Sequence, residues 1–195
     1  AWGSDTSIDV ARTGIQIHGG MGFIEETGAA QYYRDARITS IYEGTNGIQA
    51  NDLVGRKIGR ENGESIRSLM TNMRADIMSL ETGNVALAHI QTRVSHAIDD
   101  LERATDWVIE TWSHDPGSVS ASAVPFLKLL AVTSGGWLMA RAHNLALNMD
   151  DRPFRASKIA TTRFFVDHHV VETGTLAEIV ISGAPVVQNA IFHSG

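Results

Sequence analysis

The sequence predicts an all-α fold: one helical bundle followed by an additional bundle of long helices. Three observations point there. Apolar residues beyond position 63 recur at steps of three and four, the spacing of a buried helix face. No segment alternates apolar and polar residues with a period of two, and Asn46-Gly47 lies between helix-like stretches rather than strands. Glycine is concentrated, with 11 of 18 in residues 1–63, so the first third reads as short helices joined by site-building loops.

Taken in order, Ser4 or Asp5 is suited to cap a first helix running to about Ile17, and Gly19-Gly20 stops it. A second helix spans Gly28 to Ile38. Thr45 caps a third through Ile58, with Ile48, Leu53, Val54 and Ile58 turned inward. The polar stretch from Gly59 to Glu64 marks a boundary, giving domains of 1–62 and 63–195. In the second, Leu87, Ile90, Val94, Ala97, Leu101, Ala104 and Val108 form a heptad seam on a helix of roughly 85–113. That helix is about 43 Å long at 1.5 Å per residue, and Asp115-Pro116-Gly117 ends it. Another runs from about Ser120 to Asn148, and a third from Pro153, at an N1-type position, to about Ser182. Gly135-Gly136 implies close approach of a neighbouring helix, with a ligand as the alternative. Trp107, Trp112 and Trp137 read as anchors of the bundle core, and Phe154, Phe164 and Phe165 as core or subunit interface.

Composition excludes several functions. With no cysteine, a disulfide scaffold, a Cys nucleophile, an iron–sulfur cluster and a Cys-zinc site are ruled out. A balance of 16 Lys+Arg against 22 Asp+Glu, net charge −6, gives little support to nucleic-acid binding. No metal site is expected: His168 and His169 would point about 100° apart on a helix, and His89 and His96 stand two turns apart. No uninterrupted apolar run reaches about 18 residues, so no membrane span is expected. The first residues lack a basic region followed by an apolar core, so a soluble, cytoplasmic protein is expected. A start at Ala1 fits a removed Met or a fragment equally.

Three blocks carry candidate chemistry. Gln16-Ile17-His18-Gly19-Gly20-Met21-Gly22-Phe23 bares backbone N–H groups that suit a phosphate oxygen; a helix C-cap with a tight turn is the plainer reading. Tyr32-Tyr33-Arg34-Asp35-Ala36-Arg37 offers an adjacent Arg–Asp pair of surface or interdomain type. Ile41-Tyr42-Glu43-Gly44-Thr45-Asn46-Gly47-Ile48-Gln49 sets one carboxylate between apolar neighbours and a glycine, just before a helix start. An apolar pocket there would raise the carboxylate's pKa and suit it to general-base work, while Gly44 lets a substrate come close. A purely structural Glu ahead of a capped helix is the competing reading.

Together and in this order, the blocks resemble the C-terminal signature of flavin-dependent acyl-CoA dehydrogenases, over about residues 3–58. The remainder more loosely resembles the extra helical domain of longer bacterial members, such as those acting on methylthiopropionyl-CoA. The resemblance implies that Glu43 is the base that removes the α-proton of an acyl-CoA thioester while the β-hydride passes to FAD. It further implies that Glu43 and Gly44 face the substrate, with the Glu43 N–H helping to stabilise the enolate. Gln16, Ile17, His18, Gly19 and Gly20 would contact the ADP part of an FAD bound mainly by a neighbouring subunit. Thr45, Asn46 and Gly47 match positions that contact FAD after the Glu, although the family often has Gln where this chain has Gly47. The implied partners are an acyl-CoA, an electron-transfer flavoprotein or similar acceptor, and further copies in a homo-oligomer. The family's N-terminal helical and middle β-domains have no counterpart in this sequence, so neither tight FAD binding nor turnover is expected of the chain alone. The rival reading is a non-catalytic helical assembly module built on residues 64–195.

Overall fold

The computed structural model describes residues 1–80 and 83–188. Among them every regular element is helical, as the sequence predicts, and the chain divides into two compact units, Ala1–Asp52 and Leu53–Gly195.

The first unit contains α1 (Trp2–His18), α2 (Gly20–Phe23), α3 (Ala29–Ile38) and α4 (Asn46–Asp52), with a 3₁₀ turn at Glu25–Thr27. Ala1, rather than Ser4 or Asp5, stands at the N-cap of α1, and no side chain caps it. The Ser4 hydroxyl already lies in the first turn and donates back to the Ala1 carbonyl (2.6 Å). Gly19 ends α1 as expected, at φ +60°, a left-handed conformation that glycine adopts without a Cβ penalty. Helices α1 and α3 pack together. The unit's apolar core is thin: Ala30 on α3 and Ala50 on α4 are the buried apolar side chains among residues 1–52.

After α4 the chain passes into a π-helical segment, Leu53–Gly59, which belongs to the second unit. Its i→i+5 turns continue in the bonds from Arg60 N to Gly55 O (3.1 Å) and from Gly63 N to Ile58 O (3.0 Å). Val54 and Ile58 are buried as expected, but Ile48 is 59% exposed. The wider turn breaks the 3.6-residue register that grouped Ile48 with them. Glycine is needed in the π segment because Trp112 lies against it. A Cβ on Gly59 would stand 2.5 Å from the indole Cγ, and one on Gly55 would stand 2.9 Å from the ring's far edge.

The second unit continues with α5 (Glu64–Met78), α6 (Val85–Trp112), α7 (Pro116–Ala121), α8 (Ala123–Leu147), α9 (Arg152–His168), α10 (Thr173–Ser182) and α11 (Ala184–Gln188). All seven residues of the predicted α6 seam are fully buried. Asn84 starts this helix, its side chain accepting from Ala86 N (2.9 Å) and Leu87 N (3.4 Å). Helix α6 ends just before Asp115-Pro116-Gly117, as expected, but the same residues also begin the next helix: Asp115 caps α7, accepting from Ser118 N at 3.1 Å, and Pro116 occupies its first turn. The helix predicted over 120–148 therefore splits at Ser122 into α7 and α8.

The helix predicted from Pro153 to Ser182 also divides. Asp151 caps α9 by accepting from Phe154 N (3.0 Å), and a 3₁₀ turn at Val170–Glu172 separates it from α10. The break turns Val170, 1% exposed, under α8. The Thr173 hydroxyl there meets Asp100 (2.9 Å) and the Val170 carbonyl (3.0 Å).

Helix α8 packs against α5, α6, α9 and α10, and Phe126, Leu129 and Ala140 are buried on its inner side. It is also long and apolar enough to cross a membrane, with a mean hydropathy of 1.4 and 39% of that stretch buried in the bundle. The glycine pair in α8 does serve close packing. A Cβ at Gly135 would stand 2.6 Å from the Phe165 ring, and one at Gly136 would stand 2.8 Å from Val170 and 3.4 Å from Val94. The tryptophans are at the margin of the core rather than in it. Trp107, Trp112 and Trp137 are all half-buried, and Trp137 Nε1 donates to Asp76 (2.9 Å) under the Arg141 guanidinium. Phe154 and Phe164 are 47% and 56% exposed, and Phe164 stacks on His168 at 4.3 Å. His89 pairs with Asp167 across α6 and α9 (2.7 Å).

Candidate functional site

The residues singled out for chemistry lie in the first unit, in two groups. One surrounds the C-terminal end of α1. Gly19 N donates to Gln16 O (3.1 Å), and the His18 ring donates through Nδ1 to the Gly14 carbonyl (2.9 Å), closing the last turn of the helix. Gln16, Ile17, His18, Gly19 and Gly20 are all exposed. Around Gly19 and Gly20 a Cβ would meet nothing within 4 Å, so this stretch of backbone is open to approach. Gly22 differs, because a Cβ there would run into the Ile15 carbonyl and His18. Its lack of a side chain lets α2 fold back onto α1.

The other group is the turn that enters α4. Ser40, 7% exposed, accepts at its hydroxyl from Arg37 (2.6 Å) and at its carbonyl from Asn46 N (3.3 Å), which closes the loop between α3 and α4. Within that loop Glu43 sits at φ +55° and Gly44 at φ +89°. A left-handed conformation is uncommon for a residue with a side chain, and it sets Glu43 apart from its neighbours. The Gln49 side-chain amide donates to the Glu43 carbonyl (3.2 Å) and lies 3.4 Å from where a Gly44 Cβ would be. The Thr45 hydroxyl accepts from Ile48 N (3.4 Å), so Thr45 caps α4 as the sequence predicts.

The Asn46 side chain is turned onto α1. Its amide donates to the Ala1 carbonyl (3.1 Å), the Ser4 hydroxyl (2.9 Å) and the Asp5 carboxylate (2.7 Å). The Glu43 turn is thereby tied to the first turn of α1, while Gln16–Gly20 occupy its last. With 17 residues, α1 is about 26 Å long at 1.5 Å per residue, so the two groups stand at opposite ends of one helix. Glu43 is exposed, and Ile41 and Tyr42 beside it are 47% and 53% exposed. The apolar enclosure expected for the carboxylate is therefore not supplied by its neighbours in sequence.

Arg34 does not pair with Asp35, because successive helix residues point about 100° apart. It forms a two-pronged pair with Glu25 in the preceding 3₁₀ turn (2.8 and 2.7 Å), and the guanidinium holds the Glu25 carboxyl below its ordinary value. Between α1 and α3 runs an open groove of about 650 Å³, lined by Thr6, Val10, Gly14, His18, Tyr32 and Ala36 among others. His18 of the first block and Tyr32 and Ala36 of the second border it, and the turn that carries Glu43 lies outside it. Sequence reasoning included Gln49 and Asn46 in its third block but missed what their side chains do. Their amide side chains three and six residues beyond Glu43, at the start of a capped helix, were the available signal.

Residues 1–58 match the family described as "Acyl-CoA dehydrogenase, C-terminal domain", and residues 66–189 match "Acetyl-CoA dehydrogenase C-terminal like". The chain belongs to the acyl-CoA dehydrogenase family. A 3-methylmercaptopropionyl-CoA dehydrogenase of Ruegeria pomeroyi is 42% identical over 87% of this chain and 29% of its own length. A broad-specificity linear acyl-CoA dehydrogenase of Mycobacterium tuberculosis is 27% identical over 91% of this chain and 31% of its own length. The mitochondrial short-chain specific acyl-CoA dehydrogenase of the rat is 50% identical over 52 residues, 27% of this chain and 13% of that protein. The chain thus spans less than a third of the curated acyl-CoA dehydrogenases it matches.

Proposed function

We propose that this chain is the C-terminal part of an FAD-linked acyl-CoA dehydrogenase, with Glu43 as the base that removes the α-proton of an acyl-CoA thioester. The observation that carries the reading is the conformation of Glu43. An acidic side chain on a left-handed turn, followed by a glycine and a capped helix, is a carboxylate held out from the surface at a point where a substrate can reach the backbone. In this reading the Glu43 carboxylate takes the α-proton, and the Glu43 N–H donates to the thioester oxygen as enolate character develops. Gly44 keeps the approach clear of side-chain atoms.

The residues present fit a flavin dinucleotide bound along an exposed edge, since Gly19 and Gly20 leave open space where a Cβ would intrude. In this proposal Gln16, Ile17, His18, Gly19 and Gly20 hold the ADP end of one FAD. Thr45 and Gly47 hold another near Glu43, and Asn46 contributes its backbone, because its side chain is engaged by α1. FAD, when bound, supplies the acceptor for the β-hydride. The separation of the two groups along α1 supports a homo-oligomeric parent in which they serve different cofactors. An electron-transfer flavoprotein, or a similar acceptor, completes the reaction.

The division of labour we propose assigns residues 1–62 to the end of the catalytic helical domain and residues 63–195 to the extra helical domain. Exposed apolar residues in the first unit support a longer parent, because Ile17 (79%), Phe23 (81%) and Tyr32 (76%) are large side chains left in water. In the full-length parent, Glu43→Gln is expected to abolish flavin bleaching by acyl-CoA while leaving the bound flavin absorbance intact. Bleaching at the wild-type rate in that variant would remove Glu43 from the role.

A further inference from the structure

We infer that Gln49 is a positioning residue for Glu43: its side-chain amide holds the peptide that follows the base in the orientation catalysis needs. The inference deepens the proposed function and rests on Glu43 being the base. Glu43 adopts φ +55°, a strained conformation for a residue with a Cβ, which persists only where surrounding contacts hold it. Inside the turn, one side chain grips the strained peptide. Gln49 Nε2 donates to the Glu43 carbonyl at 3.2 Å. Gln49 is itself fixed, because it lies in α4 and its backbone N–H donates to Thr45 O (3.1 Å). The helix that carries Gln49 is anchored in turn by Asn46, whose three bonds reach the first turn of α1.

The chain of support therefore runs from α1 through Asn46 and α4 to Gln49, and from Gln49 to the Glu43–Gly44 peptide. The Glu43 carbonyl belongs to the peptide plane that also contains the Gly44 N–H. Fixing that carbonyl fixes the torsion on the C-terminal side of Glu43, and with it the direction in which the carboxylate leaves the backbone. Gly44 completes the arrangement through its φ of +89°, which a residue with a Cβ rarely adopts, whereas a Cβ there would stand only in ordinary contact range of the Gln49 amide (3.4 Å) and Ile48 (3.6 Å). Gln49 touches neither substrate nor cofactor in this scheme. It acts through Glu43.

The test uses the full-length, FAD-loaded parent enzyme with butanoyl-CoA and 3-methylmercaptopropionyl-CoA as probes. Gln49→Met keeps the length of the side chain and removes the donor. A misdirected base slows the chemical step, so kcat for the probe that is oxidised is expected to fall roughly 10- to 100-fold. KM should stay within about twofold, with flavin content and melting temperature held. Deuterium at the substrate α-carbon should slow the variant more than the wild type, because proton removal becomes more nearly rate-limiting. A wild-type kcat in Gln49→Met would overturn the inference, as would a rise in KM alone or a loss of flavin that accounts for the lost rate. Glu43→Gln measured in parallel separates the two levels of the argument. A dead Glu43→Gln beside a normal Gln49→Met leaves the base assignment standing and removes the positioning role. An active Glu43→Gln removes both.

Discussion

His143 is 1% exposed near the C-terminal end of α8, and its Nδ1 has no hydrogen-bond partner among the described residues. Burial alone pushes the imidazole below its ordinary value, so the folded protein keeps it neutral while the unfolded chain protonates it near pH 6.5. The unfolded state then binds more protons as pH falls through that value, and folding stability declines until the folded-state pKa is reached. The urea midpoint of the second unit should therefore drop between about pH 7.5 and pH 5.5, and His143→Leu should flatten the drop. A profile of equal slope in both proteins would assign the loss to other groups. Legibility at this scale depended on whether a role follows from residue type or from geometry. The position of Glu43 just before a helix start was readable, because Gly44 and a Thr cap follow it, whereas the apolar enclosure expected around it is not supplied by Ile41 and Tyr42, which are themselves exposed. The Gln49 bond was not readable, because it exists only through the left-handed φ of Glu43. The partner of Arg34 was misread for the same reason: Glu25 is nine positions away and is brought close by the 3₁₀ turn.

At the scale of elements, the π-helical segment makes the clearest demand on sequence. Its two glycines face one indole, and they do so unequally. Gly59→Ala would drive a Cβ against the root of the Trp112 ring, whereas Gly55→Ala would meet only its outer edge. Gly59→Ala is therefore expected to destabilise the bundle by about 1–3 kcal/mol, and Gly55→Ala by less. Thermal melts of the two variants followed by tryptophan fluorescence would check the order. Helix α6 was legible in full, because seven apolar residues at steps of three and four leave one way to bury a helix. The π segment was not, since an i→i+5 turn has no compositional mark of its own. Asp115-Pro116-Gly117 was ambiguous for a different reason: an Asp followed by Pro both ends one helix and caps the next. The break between α9 and α10 depends on Val170 finding a place under Gly136, a contact between residues 34 positions apart that local pattern does not contain.

For the molecule as a whole, the two units differ in how much apolar surface they bury. The first has Ala30 and Ala50 inside; the second has Phe126, Leu101, Ile98, Met73 and many others. In hydrogen exchange on this 195-residue chain, amides in the α6 seam are expected to be protected far longer than those of α1 and α3. Comparable protection in both units would contradict that ordering. The all-helical class and the family were legible because periodicity and three motif blocks are properties of the sequence itself. The division after Asp52 was not, because it depends on where residues 53–59 find their contacts. The adjacent glycines of α8 have a last consequence, for how such a sequence can drift. Gly135 answers to the ring at 165, whereas Gly136 answers to the valines at 170 and 94. A larger residue at 135 is tolerable alongside a slimmer side chain at 165, and one at 136 alongside trimming at 170 or 94. Two neighbouring letters would thus evolve as members of separate correspondences, each recorded far along the chain.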